Sequence, residues 1–367
     1  MTKTNNELCH VVIIQQIIPT YREDFFMALS RVIKIEIYAS SKGLEKTLTT
    51  LTRNTAYKTL ICSSLNISNK LIFQFLPFIK LLKESVIIFE FNLRIISNIF
   101  LLVIRILTGK KNILWSHGIR SDMTVFSKNI RLFFLKRADS VIVYGNDAKK
   151  ILSSLGVQEK NIFVAKNSLN ASQICKLQDS SVDRHRITFI GRLINEKNVS
   201  LLCKAFLSVI STISPNIILT IIGDGEELQV LKKQYPSNRI EFIGELKEEK
   251  SISKYMNQSL FLVSPDFLGL MIVHGFCYAI PILVNSNPSN SHSPEIELFE
   301  EGVNGFYFDG SQNNLEVMLL KCLQNPQLLR TLGLNGFNSV SNNYGVEEMV
   351  ESFLNAISHS NNMTMTN

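Results

Sequence analysis

The sequence predicts an α/β protein built from two doubly wound domains, and three observations lead to this fold class. The chain has 367 residues, which is enough for two domains of ordinary size. Apolar residues make up 46% of it and charged residues 19%, as in globular rather than disordered chains. Short β-branched apolar runs alternate with longer helix-like segments, and this alternation begins again in the second half. Such strands separated by helices indicate parallel sheets that are covered on both faces.

Each half of the chain predicts a sheet of its own. The strands predicted in the first half are residues 10–19, 35–40, 85–91, 112–117 and 140–145. The helical segments between them are residues 22–32, 70–84, 93–109 and 146–155. The second half repeats the pattern with strands over residues 186–192, 216–225, 239–245, 260–265 and 280–285. Repeated units of this kind are typical of doubly wound domains, which bind ligands at the carboxyl ends of their strands.

Composition places the domain boundaries. We expect the first domain over residues 1–170 and a linker over the polar, aperiodic stretch 171–185. The second domain follows over residues 186–345. The amphipathic run 346–360 is expected to form a C-terminal helix that could pack back on the N-terminal domain, and the polar tail 361–367 is expected to fray.

The two halves differ in charge. Residues 1–170 hold 24 Lys and Arg against 11 Asp and Glu, a balance of +13, whereas the remaining 197 residues balance at −6. This excess predicts an anionic partner for the first half, which could be nucleic acid, an acidic membrane surface or a phosphate-bearing ligand. Nucleic acid is the weakest of the three, because no nucleic-acid-binding motif accompanies the basic residues.

Three further features concern the cellular compartment. The six cysteines form no C-x-x-C pair, so we expect free thiols in a reducing compartment. The N-terminus has no apolar run with a cleavage site, which predicts a cytoplasmic protein. The apolar run 95–107 contains Arg105 and is shorter than the roughly 20 residues that cross a bilayer, so it predicts a buried or interfacial helix.

Two loops of the second half carry residues that suit a phosphate ligand. In GRLINEKN (191–198), Arg192 and Lys197 follow a predicted strand, and two cations there could bind a diphosphate. A solvated basic loop explains the same spacing. In IIGDGEEL (221–228), Gly223 would let the backbone approach a ligand, although a simple strand-to-helix turn would look the same and the dinucleotide fingerprint is incomplete.

The segment SPDFLGLMIVHGFCYAIPILV (264–284) combines a strand end, a loop and a helix of about nine residues. Gly269 would let the backbone come close to a ligand, and the first helical turn would supply N–H groups to an anion. His274 lies eight residues after Asp266, inside the predicted helix. An ordinary helix residue that is satisfied by a neighbour is the alternative for this histidine. In PEIELFEEGVNGFYFDG (294–310), a glycine turn leads to a short strand and needs no ligand to explain it.

The ordered series GRLxxxK, IIGDG, SPxxxGLxxxH, IPxLV, PE and GVNGF resembles the nucleotide-binding half of the family 4 retaining glycosyltransferases, within glycosyltransferases group 1. The resemblance runs through residues 186–345, and four segments of the first half are similar to the acceptor-binding domain of that family: residues 17–26, 115–118, 138–152 and 161–170. It implies the GT-B fold, in which two Rossmann-like domains face each other across a cleft.

The resemblance also implies roles for individual residues. Arg192 and Lys197 would hold the diphosphate of a nucleotide-sugar donor, and His117 would lie by the donor sugar. The backbone near the phosphates and the sugar would come from Gly223, Phe267, Leu268, Gly269 and Leu270. Asp266 and His274 stand where the family usually has two glutamates, the first on the donor sugar and the second on the ribose. This departure puts the ribose contact, and with it the nucleotide, in question.

A site of this kind would neutralise the charge of the departing nucleoside diphosphate with two cations and a helix N-terminus. No D-x-D motif is present, so we expect neither a metal nor another cofactor. The acceptor hydroxyl would attack from the face that the diphosphate leaves, with the phosphate as proton acceptor. Asp266 is the carboxylate best placed to act as a nucleophile, but we expect it to orient the sugar instead.

These observations predict a cytoplasmic, hexosyltransferase-type enzyme of surface polysaccharide synthesis, such as O-antigen or capsule. Its partners would be a nucleotide-diphosphate sugar and a lipid-linked or oligosaccharide acceptor. A sugar-nucleotide epimerase of the same fold and a non-catalytic scaffold that binds a sugar nucleotide are the alternatives. KLIFQFLPFIKLLK (70–83) mixes Phe and Leu with Lys, as an interfacial helix on the inner face of an anionic membrane would. A core-packed helix with solvated lysines explains the same pattern.

Overall fold

The structure is a computed structural model that describes residues 10–41, 43, 56–68, 70–120, 123–167, 169–289, 291–341 and 344–362. The chain divides into two compact units, one of residues 1–167 with 346–367 and the other of residues 168–345. Each unit contains one parallel sheet flanked by helices, which confirms the predicted α/β class with two Rossmann-like sheets.

Seven parallel strands form the sheet of the first unit, in the order β3-β2-β1-β6-β7-β8-β9. The strands of the unit are β1 (His10–Ile14), β2 (Lys34–Ser40), β3 (Lys58–Cys62), β4 (Ser64–Ser68), β5 (Leu71–Gln74), β6 (Val86–Glu90), β7 (Lys111–Ser116), β8 (Ser140–Val143) and β9 (Ile162–Val164). Its first five helices are α1 (Glu23–Val32), α2 (Phe78–Lys83), α3 (Ile96–Leu107), α4 (Val125–Arg137) and α5 (Asn146–Ser154). The winding direction reverses between β1 and β6, where doubly wound sheets bind their ligands.

The central strand β1 is apolar from Val11 to Ile14 because both of its faces are buried there. Val11 and Ile13 belong to one hydrophobic cluster, and Val12 and Ile14 belong to a second cluster that is built from other helices. Successive side chains of a strand point to opposite faces, so a covered sheet needs an apolar residue at every position. This is why the strand signal of the sequence is a continuous run rather than an alternation.

The helix predicted over residues 70–84 is wrong in its first half. Residues Leu71–Gln74 form β5, which pairs antiparallel with β4, and α2 begins only at Phe78. Pro77 directly precedes α2, and a proline can open a helix but cannot continue one through its interior. Lys80 fixes α2 to the sheet, because its ammonium donates to the Glu36 carboxylate and to the Tyr38 hydroxyl.

The helix α3, which is buried on one face, carries one charge into the first unit. No helix in the described part of the chain is long and apolar enough to span a bilayer, and α3 has 12 residues. The Arg105 side chain is fully buried and donates to Asn112 Oδ1 at 2.9 Å and to the carbonyls of Leu81 and Lys111 at 2.7 Å each. Burial lowers the pKa of Arg105 to about 10. The arginine therefore ties α3 to its neighbours within the unit.

Six parallel strands form the sheet of the second unit, in the order β12-β11-β10-β13-β14-β15. Its strands are β10 (Arg186–Ile190), β11 (Ile218–Ile222), β12 (Ile240–Gly244), β13 (Ser259–Ser264), β14 (Ile282–Asn285) and β15 (Gly305–Phe308). Its helices are α6 (Ala171–Ile174), α7 (Val199–Val209), α8 (Leu228–Gln234), α9 (Glu249–Met256), α10 (Met271–Cys277), α11 (Gln312–Leu323) and α12 (Pro326–Ser341). The switch point of this sheet lies between β10 and β13, where the segments that follow both strands are candidates for the site.

Part of the predicted linker 171–185 is folded. Residues Ala171–Ile174 form α6, and a 3₁₀ turn follows over Cys175–Leu177. Ala171 and Ile174 are buried in the core of the second unit, so the apolar residues of this otherwise polar stretch hold it there. The five cysteines within the described residues are free thiols, whereas Cys9 lies outside them.

The C-terminal helix α13 (Val346–Asn362) belongs to the first unit, although it follows the second along the chain. Its Phe353 ring lies 4.8 Å from the Trp115 ring and 4.7 Å from the Phe25 ring, measured between centroids. The predicted fraying tail 361–367 begins inside this helix, and residues 363–367 lie outside the described part of the chain.

Candidate functional site

Three glycine-rich loops meet at the carboxyl ends of β10, β11 and β12. The Leu193 N–H donates to the Asp224 carbonyl at 2.8 Å, and the Gly223 N–H donates to the Gly244 carbonyl at 2.8 Å. A Cβ atom at Gly223 would lie only 1.9 Å from the Gly191 carbonyl oxygen. Gly223, which we predicted to contact the donor, lets the loop after β11 pack against the loop after β10.

Lys197 is the buried cation of the site. It ends a 3₁₀ turn after β10 and is 8% exposed. Its Nζ donates to the carbonyls of Phe267 and Leu268, at 2.7 Å and 2.8 Å. Burial lowers the pKa of the Lys197 ammonium to about 7, the charge of Arg192 lowers it further, and nearby carboxylates oppose the shift. The lysine thus joins the loop after β10 to the loop after β13, and near neutral pH it is only partly charged.

Arg192 is the exposed cation beside it. Its side chain is exposed, whereas the next residue, Leu193, is fully buried and anchors the loop. Because the Arg192 charge acts on the Lys197 ammonium, the two cations that the sequence pairs lie close together in the structure. Arg192 is a permanent, exposed charge, whereas Lys197 is a buried amine. The alternative of a solvated basic loop therefore fits Arg192 but does not fit Lys197.

Asp266 follows β13 and is buried, with 3% of its surface exposed. One carboxylate oxygen accepts from the Ser289 N–H at 2.7 Å, and the other accepts from the Ser289 hydroxyl. Its own carbonyl accepts from the Ser264 hydroxyl at 3.3 Å. The carboxylate therefore holds the loop after β14 in place. A carboxylate engaged in this way is better suited to orient a sugar than to act as a nucleophile.

The backbone from Phe267 to Leu270 connects Asp266 to α10. The Phe267 N–H donates to the Glu196 carbonyl at 3.4 Å, and the Leu268 N–H donates to His292 Nδ1 at 3.1 Å. Within the described residues, the N–H groups of Gly269 and Leu270 make no hydrogen bond. Of the four backbone groups that we predicted to support phosphate and sugar, two are thus already engaged. A Cβ atom at Gly269 would lie 3.3 Å from the Lys197 Nζ, so a glycine keeps this approach open.

His292 is a residue of this site that the sequence did not indicate. Its Nδ1 accepts from the Leu268 N–H, and its Nε2 lies 2.7 Å from the Asn285 carbonyl, to which it donates. These partners fix a neutral ring with its proton on Nε2, and burial lowers the pKa of His292. In the sequence, His292 stands in the polar run NSNPSNSHS, and this composition is typical of an ordinary flexible loop.

His274 lies in α10, as predicted, and is paired with a carboxylate from a different helix. Its Nε2 is 2.7 Å from Glu249 Oε1, which also accepts from the Tyr278 hydroxyl at 2.7 Å. Although burial opposes it, the hydrogen bond from His274 and its charge lower the pKa of Glu249. The geometry of His274 therefore fits the alternative, a helix histidine whose hydrogen bond is made by a neighbouring residue. That neighbour is Glu249, in the first turn of α9.

His117 belongs to the first unit, where it follows β7. Its exposed ring stacks on the Tyr144 ring with 4.5 Å between the centroids. Desolvation by the surrounding protein and the positive charges of Arg22, Arg131 and Arg120 lower the pKa of His117 to about 4. The ring is therefore neutral at pH 7. It can donate or accept a hydrogen bond, but it offers no positive charge to an anion.

Among the described residues, no three His, Cys, Asp or Glu side chains gather in a group that could hold a metal ion. The groups that the second unit brings to the candidate site are Arg192, Lys197, Asp266 and the backbone between β13 and α10. Two cations next to two unengaged N–H groups can bind an anion with adjacent charged oxygens, such as a diphosphate.

Comparison with known proteins agrees with this chemistry. Residues 176–339 match the model of the family described as glycosyl transferases group 1. An uncharacterized glycosyltransferase of Methanocaldococcus jannaschii is 24% identical over 241 residues, which are 62% of this chain and 60% of that protein. The O-antigen biosynthesis glycosyltransferase WbnH of Escherichia coli is 29% identical over 220 residues, or 56% of this chain and 60% of that protein. The matches thus span less than two thirds of either relative.

Solved structures share the fold at low sequence identity. The crystal structure of Anabaena HepE in complex with UDP-glucose matches 95% of this chain and 99% of that chain, with a TM-score of 0.69 and 16% identity. At this identity the likeness concerns the fold, which is that of GT-B glycosyltransferases.

Proposed function

We propose that the chain, whose residues 176–339 match the model of the glycosyl transferases group 1, transfers a sugar from a nucleotide-diphosphate donor to a glycan acceptor with retention of configuration. The observation that carries the proposal is the placement of Lys197. Its buried Nζ lies beside Arg192 and bridges to the segment that follows Asp266. We assign the donor diphosphate to Arg192, Lys197 and the N–H groups of Gly269 and Leu270.

In this mechanism the two cations neutralise the charge that develops on the leaving nucleoside diphosphate. Asp266 orients the sugar, held in turn by its two hydrogen bonds from Ser289. The acceptor hydroxyl attacks the face that the diphosphate leaves and gives its proton to a phosphate oxygen. No metal or other cofactor enters the proposal.

The test is a transfer assay with a panel of nucleotide sugars, UDP-glucose among them, and a lipid-linked acceptor. Arg192→Ala and Lys197→Ala should each lower kcat/KM by about tenfold to a hundredfold, the loss expected for one charge-assisted contact. Lys204→Ala is the matched control, because Lys204 is an exposed lysine on the helix that follows. Full activity in both site variants would refute the assigned donor site.

Two further arms separate the alternatives. Conversion of the donor without any acceptor would indicate a sugar-nucleotide epimerase, and nucleotide binding without turnover on any acceptor would indicate a scaffold. The anomeric configuration of the product decides the stereochemistry, and an inverted product would refute retention. Because one relative is named as an O-antigen glycosyltransferase, we propose surface polysaccharide synthesis as the pathway, with a lipid-linked acceptor as the first acceptor to assay.

We also propose that the enzyme works as a peripheral protein on the cytoplasmic face of an anionic membrane. An apolar surface supports this: the Phe73, Phe75, Phe78 and Phe100 rings form a chain with centroids 5.4–6.4 Å apart, across β5, α2 and α3. Phe75 is 57% exposed, Phe100 56% and Ile79, on α2, 78%. Rings and aliphatic side chains that protrude together from a basic unit fit the boundary between lipid headgroups and acyl chains.

Vesicle co-sedimentation tests the membrane proposal. The protein should bind vesicles that contain phosphatidylglycerol and should bind weakly to phosphatidylcholine alone. Ile79→Glu with Phe100→Glu should abolish sedimentation, because two charges would have to enter the acyl region. Val317→Glu is the control, since Val317 is equally exposed, at 59%, in the second unit. Equal binding to both lipid compositions would overturn the electrostatic part of the proposal, and unchanged binding of the double variant would overturn the surface.

A further inference from the structure

A second cluster of polar side chains lies in the first unit, at the carboxyl ends of four neighbouring parallel strands, β1, β6, β7 and β8. Strand ends of a parallel sheet lie along one edge, and we call this one the carboxyl edge of the first unit. The residues that end or follow these strands are Gln15, Gln16, Glu90, Phe91, Ser116, His117 and Tyr144. Arg22 and Arg131 reach the same edge from outside the sheet.

Arg22 is held rigidly at this edge. It is 8% exposed, and its two terminal nitrogens donate to Gln15 Oε1 at 2.7 Å and to the Tyr144 hydroxyl at 2.6 Å. The guanidinium carbon lies 4.2 Å from the centroid of the Trp115 ring. A cation fixed by hydrogen bonds and an aromatic face needs no reorganisation to meet a ligand.

Arg131 is held more loosely. It extends from α4, and its Nη1 lies 3.4 Å from both the Phe91 carbonyl and the Ser116 hydroxyl. Both distances are long for a hydrogen bond, so the guanidinium keeps donor capacity for another partner. Its side chain is half-buried, and Arg94, which follows β6, is exposed and acts electrostatically on it.

The carboxyl edge holds more hydrogen-bond donors than acceptors. Five buried nitrogens there have no partner among the residues that the structure describes: Gln15 Nε2, Gln16 Nε2, Arg22 Nε, Trp115 Nε1 and Arg131 Nε. Each of them is an N–H donor, and each buried donor left unpaired costs about 1–3 kcal/mol. One unpartnered acceptor lies near them, because Gln74, whose Oε1 has no partner within the described residues, donates from its Nε2 to the Gln15 carbonyl at 3.0 Å. Unpartnered donors therefore still outnumber unpartnered acceptors at this edge. A ligand rich in acceptor oxygens would remove this cost.

The same edge also has an excess of positive charge. Arg22, Arg120 and Arg131 all act on His117, and Arg94 acts on Arg131. The carboxylate that faces Arg22 is Glu90, whose Oε2 accepts from the Gln16 N–H at 2.7 Å. Burial raises the pKa of Glu90, so this carboxylate is itself disfavoured as an anion. Sugar hydroxyls would satisfy the donors, but only an anion would also satisfy the charge.

We propose that the carboxyl edge of the first unit binds a phosphate or diphosphate group, with Arg131 and Arg94 as the residues that meet it and Arg22 as the fixed cation behind them. This site is distinct from Arg192 and Lys197 in the second unit. The group can come from two sources, the diphosphate that links an acceptor to its lipid or the diphosphate of a nucleotide. The proposal does not rest on the transfer reaction, because binding is measured without turnover.

Titration calorimetry of the full-length protein tests the site with three probes: octyl diphosphate, uncharged octyl glucoside and UDP. The wild type should bind octyl diphosphate and should not bind octyl glucoside at the same concentrations. Arg131→Gln and Arg94→Gln should each weaken octyl diphosphate by about tenfold or more, as expected for a lost charge-assisted hydrogen bond. Arg131→Lys should recover part of the loss, because it restores the charge without the planar fork.

The controls separate a lost contact from a lost fold. Lys136→Gln removes a charge from an exposed position five residues further along α4 and should leave all three affinities unchanged. The thermal unfolding temperature of Arg94→Gln should match that of the wild type, because Arg94 is exposed, even if Arg131→Gln is destabilised. If the variants bind octyl diphosphate more weakly but bind UDP unchanged, the source of the bound group is the acceptor. If they bind UDP more weakly but bind octyl diphosphate unchanged, the source is the nucleotide. Unchanged affinity for both diphosphates in both variants would overturn the proposal.

Discussion

The lowered pKa of Lys197 makes the affinity for a nucleotide sugar depend on pH. A pKa of about 7 means that the free protein carries a charged Lys197 in about 90% of molecules at pH 6 and in about 10% at pH 8. The diphosphate of a nucleotide sugar is a diester and keeps its charge over this range. Because the anion favours the charged amine, binding must be weaker where the free protein is neutral at this position, so affinity falls as pH rises through 7.

The magnitude follows from the protonated fraction. If only the charged form binds, the dissociation constant should rise about tenfold from pH 6 to pH 8, which corresponds to about 1.4 kcal/mol. At pH 8 the complex should also take up about 0.9 proton per molecule, since nearly every protein molecule must protonate Lys197 to bind. Arg192 adds no such dependence, because a guanidinium stays protonated throughout.

Calorimetry in buffers of different ionisation enthalpy measures both quantities at once. UDP-glucose is the first ligand to use, followed by whichever nucleotide sugar of the donor panel gives a binding isotherm. Lys197→Arg should bind with little pH dependence, because its charge is permanent, and Lys204→Gln should behave as the wild type. A dissociation constant that stays level from pH 6 to pH 8, with no proton uptake at pH 8, would show that Lys197 does not meet the diphosphate as a cation.

Four substitutions, one of them a control, test the rest of the second unit. Gly223→Ala should destabilise it by about 2–3 kcal/mol in urea unfolding, because the added Cβ overlaps the Gly191 carbonyl, whereas Gly302→Ala, with φ of +73° and open space around it, should cost about 1 kcal/mol. Asp266→Asn should lower kcat more than it raises the donor KM, and a parallel change in both would assign the carboxylate to binding alone. Glu249→Gln should lower the free energy of unfolding by about 1 kcal/mol at pH 7. Because the pKa of Glu249 is lowered in the folded protein, this difference between variant and wild type should shrink as pH falls below 4.5. A difference that does not depend on pH would contradict the pairing with His274.

Most strands of both sheets could be predicted because their signal is local, although β3 and β9, at the two edges of the first sheet, were not among the predicted strands. A strand that is buried on both faces, such as β1, needs apolar residues at every position, and this run is visible without knowing its neighbours. The error at residues 70–84 has a local cause as well. Periodicity cannot separate a short apolar strand from a helix, and Pro77 was the residue that marked the boundary.

The partners of the site residues could not be predicted, because they come from elements far away in the sequence. Glu249 reaches His274 from 25 residues away, and His292 reaches the Leu268 N–H from 24 residues away. Motif spacing identifies which residues stand at strand ends, but the carboxylate or imidazole that completes each contact depends on how helices and loops pack. His292 and Glu249 therefore needed the structure, whereas the positions of Arg192, Lys197 and Asp266 after predicted strands were visible in the sequence.

The +13 balance of the first half overstates the charge that is available to a partner. Arg105 is buried among carbonyl oxygens and is out of reach of a partner. The pairs of Lys80 with Glu36 and of Lys111 with Asp139, at 3.0 Å, leave the balance unchanged, because both carboxylates are already subtracted in it. The charges that remain relevant fall into two groups, the arginines of the carboxyl edge and exposed lysines such as Lys83 at the apolar surface.

Salt distinguishes these two groups, because raising the ionic strength from 0.1 M to 1 M shortens the Debye length from about 10 Å to about 3 Å and screens exposed charges far more than half-buried ones. We expect 1 M NaCl to release the protein from vesicles that contain phosphatidylglycerol while it weakens octyl diphosphate binding only a few fold. A similar loss in both assays would mean that the arginines of the carboxyl edge are as solvated as the lysines, and that their buried, unpartnered nitrogens do not form a phosphate site.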